Sequence, residues 1–202
     1  MPPKCKFTRD EVVRAALDMT RESGIGSVTA RRLGEKLGSS SRPIFSLFRN
    51  MQEVQGEVIQ AADELYQEYL RREMSAGEYP AYKASGIAYI RFAREERELF
   101  RLLFMRDRSA EEIDDNPKEL KPIIDAVTKS TGLSEQLAYL FHLEMWVYVH
   151  GIATMIATSY LEWQWDTVSQ MLTDGFMGLK KRYEERTGNY GSDQNGGNHK
   201  KI

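Results

Sequence analysis

Three consecutive serines and an arginine precede a short apolar segment near the N-terminus. In the stretch TARRLGEKLGSSSRPIFSLF, the serines are followed by Arg42 and Pro43. Small hydroxyl side chains let a backbone approach DNA closely and donate to phosphates, and a helix N-terminus adds a partial positive charge. An arginine donates two hydrogen bonds to the edge of a guanine. These residues predict contact with double-stranded DNA, and the alternative interpretation is an ordinary serine-rich turn.

Basic residues are concentrated at the start of the chain. The first 51 residues, called the head below, hold ten basic and five acidic side chains, and the rest, called the body, holds 18 basic and 25 acidic ones. The whole chain has a net charge of −2. A basic head on an acidic body suits binding of a polyanion by the head alone, although five excess charges can also simply solvate a surface.

Nearly every segment follows a helical period and none shows the alternation of a strand, so we predict an all-α fold. Thr8 and Glu11 form a capping-box pattern for a first helix that ends at Gly24. A second helix begins at Thr29, and a third spans about residues 41–48. Two short helices joined by a tight turn are the layout of a helix-turn-helix, with the second helix entering the major groove.

The remaining sequence predicts a long fourth helix from Asn50 to about Met74 and a helical body. The helical pattern over about residues 80–106 is broken near the charges at 94–98. A polar loop follows and ends at Asn116, which caps the next helix. Long apolar helices begin near Ser134 and Asp166. We therefore predict a helix-turn-helix domain at 6–66, a helical domain at 67–187 and a disordered polar tail at 188–202.

The segment from Phe7 to Val54 resembles the DNA-binding region of TetR-type transcriptional regulators in the order and spacing of its Thr, Gly and aromatic residues. The resemblance implies that Thr29 and Phe45 lie beside phosphates. Phe45 replaces a frequent Tyr and Met51 a frequent Lys, and both changes should weaken nonspecific affinity. The predicted DNA-contacting residues are Thr29, Arg31, Ser39, Ser40, Ser41, Arg42, Pro43, Phe45 and Met51.

The resemblance also implies that the body forms a homodimer and holds a pocket for a small effector. WVYVHGIATM resembles the Trp-x-x-x-His-Gly pattern of one subgroup, with Trp146 and His150 on one helical face. His150 is either a core histidine or a ligand contact. Aromatic and methionine side chains favour an apolar or aromatic effector. The predicted pocket residues are Tyr89, Phe92, Phe104, Met105, Trp146 and His150.

A dimer interface is predicted on the two long apolar helices, because they carry more apolar surface than one core uses. The residues assigned to it are Leu140, Met145, Ile152, Ile156, Val168, Leu172, Phe176 and Leu179.

Catalytic, metal-binding and membrane functions find little support in the sequence. It has no phosphate-binding glycine loop or nucleophile elbow, and His142 and His150 are predicted on divergent helix faces without metal-ligand spacing. We expect no cofactor. No apolar run suits a membrane span or secretory signal, and a lone Cys5 suits a reducing compartment, so we predict a cytoplasmic protein. A constitutive architectural DNA-binding protein remains the alternative to an effector-responsive one.

Overall fold

The computed structural model describes residues 7–107 and 117–193, and within these ranges every regular element is helical. The α-helices are α1 (Arg9–Ser23), α2 (Ala30–Lys36), α3 (Arg42–Phe45), α4 (Met51–Ala76), α5 (Ala81–Glu95), α6 (Arg97–Phe104), α7 (Pro117–Thr131), α8 (Glu135–Ala157) and α9 (Trp165–Asp193). The predicted all-α fold is confirmed. The N-terminal arm with Cys5, the cap at Asn116 and residues 194–202 of the predicted tail lie outside the described residues.

Local capping signals define the first two helices. The Thr8 side chain accepts from the Glu11 N–H, and the Glu11 carboxylate accepts from the Thr8 N–H at 2.8 Å. Gly24 ends the helix with a φ of 75°, which favours glycine. Thr29 caps α2 by accepting from the N–H of Arg32. These satisfied helix ends confirm the predicted starts of α1 and α2.

The third helix is shorter than the sequence predicted. It spans only Arg42–Phe45, and the Pro43 carbonyl accepts from the hydroxyl of Ser46 at 2.6 Å. A continuing α-helix needs that carbonyl for the N–H of Leu47, which bonds the Ile44 carbonyl at 3.0 Å instead. Ile44 and Phe48 still point into the core, as predicted.

Helix α4 joins the head to the body. Asn50 caps it by accepting from the Glu53 N–H, and Gly77 ends it in the left-handed conformation. Helix α5 packs against α4 on one side and against α6, α7, α8 and α9 on the others. The predicted break between α5 and α6 is confirmed at Glu96. Phe92, Phe100 and Phe141 are completely buried, and each such side chain contributes roughly 1.5–3 kcal/mol through burial.

Two long helices complete the body. Helix α8 begins after a Ser134 cap as predicted, and α9 extends to Asp193, past the predicted start of the disordered tail at residue 188. By length and a mean hydropathy of 1.2, α8 meets the composition of a membrane span, as core helices of globular proteins also do. Only 39% of that window is buried inside the chain, so α8 has apolar surface to cover.

Candidate DNA interface and effector cavity

The serines and Arg42 form an exposed tip at the start of α3. Arg42 and Ser40 are exposed, and Ser39 and Ser41 are partly exposed. Within the described residues, no group hydrogen-bonds the three serine hydroxyls or pairs with the Arg42 guanidinium. Pro43 lies in the first turn of α3, where a helix needs no N–H donor. The tip therefore presents uncommitted donors to a partner.

A close backbone contact places this tip against α2. The Ser39 N–H donates to the Gly34 carbonyl at 2.8 Å. A Cβ at Gly34 would lie 2.9 Å from the Ser40 carbonyl carbon and 3.0 Å from the Ser41 nitrogen. Only glycine fits at this distance without moving the serines. Gly34 thus determines where the start of α3 lies relative to α2.

Arg9 holds the segment after α3 against α1 and α4. Its guanidinium donates to the Leu47 carbonyl at 2.7 Å and to the carboxylates of Glu53 and Glu57 at 3.0 and 2.5 Å. It also lies 4.2 Å from the Phe48 ring centroid. The carboxylates raise the Arg9 pKa, whereas the Arg49 N–H and then Arg9 lower the pKa of Glu53. Arg9 is therefore committed within the head and α4 and is not a free DNA donor.

The other predicted DNA contacts differ in how available they are. Phe45 is 48% exposed on α3, and Thr29 is exposed with its hydroxyl proton unused by the α2 cap. Arg31 is exposed and pairs with Glu35 at 3.0 Å on the surface of α2. Met51 begins α4 and packs partly against the core. The structure thus exposes both Phe45 and Thr29, whereas Met51 is partly buried against the core.

A cavity of about 680 Å³ lies in the body. It is bounded by one side chain of α4 and by residues of α5, α7, α8 and α9, many of them aromatic or aliphatic. Of the six predicted pocket residues, Tyr89 and Trp146 line it. Phe92 is completely buried beside Tyr66, Phe104 packs on Tyr66 and Tyr89, and Met105 is exposed after α6. The sequence missed the lining residues Tyr66, Tyr82, Lys83, Lys129, His142, Met145 and Phe176.

Two tyrosine–histidine pairs join α5 to α8 beside this cavity. The hydroxyl of Tyr82 lies 3.2 Å from Nδ1 of His142, and that of Tyr89 lies 2.8 Å from Nδ1 of His150. Burial raises the pKa of both tyrosines and lowers the pKa of both histidines, which favours the neutral form of all four. The sequence predicted divergent faces for His142 and His150, but positions eight apart on an α-helix are rotated by only about 80°. Both histidines therefore reach tyrosines of α5 from adjoining faces of α8.

His150 is enclosed by other rings and does not line the cavity. Its ring stacks on Trp146 at 5.2 Å and on Phe100 at 6.0 Å between centroids. It therefore holds Tyr89 and Trp146, which do line the cavity, in place. Among the described residues, no group of three His, Cys, Asp or Glu side chains has the arrangement of a metal site.

Helix α6 connects the body to the head. The Arg21 guanidinium of α1 pairs in two hydrogen bonds with the buried carboxylate of Glu96, just before α6. Gly24 lies close to Glu98, whose carboxylate would be 3.0 Å from an added Cβ. On its other side α6 reaches α8, since Arg101 donates to the Ala157 carbonyl at 2.8 Å. A shift of α8 therefore has a polar route to α1.

The outer face of α8 is apolar and uncovered within one chain. Val147 is 66% exposed, and Leu140 and Leu143 lie on the same face. Among the residues predicted for a dimer interface, Leu140 is on this surface. Five others are buried in the core of one chain, which corrects their assignment: Met145, Ile152, Ile156, Val168 and Leu172. Phe176 and Leu179 are partly buried, and their place in the interface stays a prediction.

Comparisons with known proteins agree with this architecture. Residues 82–175 match the family described as "Tetracyclin repressor-like, C-terminal domain". A crystal structure of a TetR variant from Acinetobacter baumannii AYE in complex with minocycline has a similar fold, with a TM-score of 0.53 and 19% identity over 90% of this chain and 98% of that chain. No curated protein matches the chain. Residues 82–175 therefore match a TetR-type C-terminal domain, and the chain as a whole shares the helical fold of that TetR structure.

Proposed function

We propose that this protein is a TetR-type transcriptional regulator, which binds a palindromic DNA operator as a homodimer and releases it when a small effector enters the body cavity. The observation that carries the proposal is the pairing of an uncommitted donor tip at α3 with a large cavity in the same chain. The presence of a cavity favours an effector-responsive repressor over a constitutive architectural protein, which needs none. A cytoplasmic location follows from an operator on chromosomal DNA.

In the proposed complex, α3 enters the major groove with its N-terminus leading. Arg42 reads a guanine edge, while Thr29, Ser40 and Phe45 contact the backbone and position the helix. Arg31, Ser39, Ser41 and Pro43 lie at the same surface, and Met51 supports it from below. Two copies bind together when their α3 helices are about one DNA turn, roughly 34 Å, apart.

For the effector to release DNA, the effector-bound body has to favour a different spacing of the two heads. A ligand between α5, α7, α8 and α9 acts on α4 through Tyr66 and on α1 through α6. A ligand shifts the equilibrium only by its differential affinity for the two spacings. A difference of about 3 kcal/mol reduces operator affinity about a hundredfold.

Selection of bound duplexes from a random pool tests the proposal, and we expect an inverted repeat. Selected DNA without two-fold symmetry would contradict the dimeric, operator-specific function. The selected duplex then serves in a screen of apolar compounds for release. If compounds bind the cavity but leave the DNA affinity unchanged, the protein is constitutive.

The role of Arg42 is tested with the same duplex. Arg42→Ala should cost about 1–3 kcal/mol of operator binding and relax the preference at one base pair in each half-site. Arg14→Ala is the control, because Arg14 is an exposed arginine of α1 outside the α2–α3 surface. An equal loss on operator and scrambled DNA would show that Arg42 contacts only phosphate.

A further inference from the structure

Among the described residues that line the body cavity, the charged side chains are all of one sign. These are Lys83 of α5 and Lys129 of α7, and no Asp or Glu of the described ranges lines the cavity. The other polar groups of this lining are hydroxyls, backbone, the Trp146 indole N–H and the His142 ring, whose pKa is lowered by burial. A largely apolar lining with two ammonium groups has an electrostatic preference for a negatively charged guest.

Lys83 is the better placed of the two cations. Its Nζ donates to Oγ1 of Thr173 at 2.9 Å and lies 5.0 Å from the centroid of the Tyr79 ring. Thr173 also lines the cavity. Across the described residues, no carboxylate forms a salt bridge with Lys83 or with Lys129. A partly buried ammonium that lacks an acidic partner gains from an anion placed beside it.

The rest of the lining determines the other end of the guest. Tyr66, Tyr89, Trp146 and Phe176 supply aromatic surface, and Met145 adds a thioether that adapts to different shapes. The cavity volume of about 680 Å³ accommodates a molecule of drug size. The guest therefore combines an extended apolar or aromatic body with a single charged end.

We propose that the effector is an amphipathic carboxylic acid, bound as its anion with the carboxylate on the Lys83 ammonium group, with Lys129 as the second cation of the cavity and with the apolar body among the aromatic side chains. This inference rests on the proposed effector-responsive function and specifies the chemical class of the effector. A neutral or cationic apolar compound lacks the interaction with Lys83 and binds more weakly.

The test uses two fluorescent probes with the same aromatic body, titrated into the full-length protein. One probe, 8-anilinonaphthalene-1-sulfonate, is an anion, and the other, N-phenyl-1-naphthylamine, is neutral. We expect the anion to bind about tenfold tighter, as one charge-assisted hydrogen bond predicts. Lys83→Met should remove most of that preference and leave the neutral probe unaffected, and Lys83→Arg should retain it.

Lys129→Met is a second variant. The Lys129 side chain is exposed and is not needed for folding, and we expect its replacement to reduce the anion preference as well. Lys121→Met is the matched control, because Lys121 is also an exposed lysine of α7 but pairs with Asp125 away from the cavity. It should bind both probes as the wild type does.

A competition measurement identifies the head group. Decanoate should displace the anionic probe at lower concentration than decanol or decyl phosphate. Equal affinity of the two probes, an equal loss of both in Lys83→Met, or equally effective displacement by decanol would overturn the carboxylate proposal. Operator selection is independent of these titrations, so the DNA-binding function would stand in each of those cases.

Discussion

Gly34 shows how a single absent side chain sets the geometry of the tip that we propose to contact DNA. The α2 helix approaches the turn before α3 so closely that a Cβ would meet three backbone atoms of the serine run within 3.1 Å. Backbone atoms cannot rotate away as a flexible side chain can. Adding one methyl group at this position therefore has to displace the serines or α2.

Gly34→Ala should destabilise the protein by about 1–3 kcal/mol, as overpacking of a tight contact does. It should also weaken operator binding, because Ser39, Ser40 and Ser41 move. Gly56→Ala in α4 is the matched control, since an added Cβ there has no neighbour within 4 Å. A helical glycine replaced by alanine in open space should stabilise by about 0.5–1 kcal/mol. Denaturant unfolding of both variants measures the difference, and similar effects would show that the Gly34 contact relaxes freely.

Residue-level signals were predictable where they act locally. The capping residues Thr8, Thr29, Asn50 and Ser134 were identified from sequence, because an N-cap bonds an N–H only three residues away. The pairing of Tyr82 with His142 spans 60 residues and depends on the register of α5 against α8. Sequence periodicity carries no information about that register, so this part of the cavity was missed.

At the scale of elements, α6 is a short connection with contacts to both functional regions. Glu96 precedes it and binds Arg21 of α1, and Arg101 within it binds the end of α8. Arg97 extends the second contact by donating to Ser159 and Glu162 at 2.7 Å each. The break between α5 and α6 was predictable from charge crowding, but the partners of those charges were not, because they come from distant helices.

Arg21→Met should uncouple the body from the head. Operator affinity without effector should stay close to wild type, because the core of the head and the tip at α3 are unchanged. A releasing compound lowers the operator affinity by a certain factor in the wild type. In Arg21→Met we expect that factor to be roughly 2- to 30-fold smaller, which is the range for residues that carry coupling between sites. Lys36→Met is the control, as it breaks an ion pair of 3.0 Å with Glu22 inside the head. Fluorescence anisotropy of labelled operator measures both, and equal release from Arg21→Met and wild type would exclude this route.

At the scale of the whole molecule, the exposed face of α8 is the strongest argument for a dimer. The sequence predicted the interface helices from their excess of apolar residues, and the uncovered apolar face of α8 in the structure agrees with that choice. The sequence alone could not separate the inner from the outer face of α8, because this helix is apolar nearly all round and its periodicity is weak. Most residues assigned to the interface belong to the core of one chain. The interface we propose is centred on Leu140, Leu143 and Val147.

Val147→Asp should prevent dimer formation. A permanent dimer interface buries roughly 2,000 Å² or more, and an unpaired carboxylate at its centre would lose its hydration. In one chain Val147 is 66% exposed, so the aspartate remains hydrated in the monomer and the fold is retained. Sedimentation should show a monomer with unchanged helical content. Affinity for the inverted repeat should fall by about 10²–10⁴-fold, because the two half-sites are no longer bound by linked heads, while affinity for a single half-site stays the same.

Gln60→Glu adds the same charge on the exposed face of α4 and should remain dimeric. A Val147→Asp protein that sediments as a dimer would place the interface on another surface and leave the face of α8 without a partner.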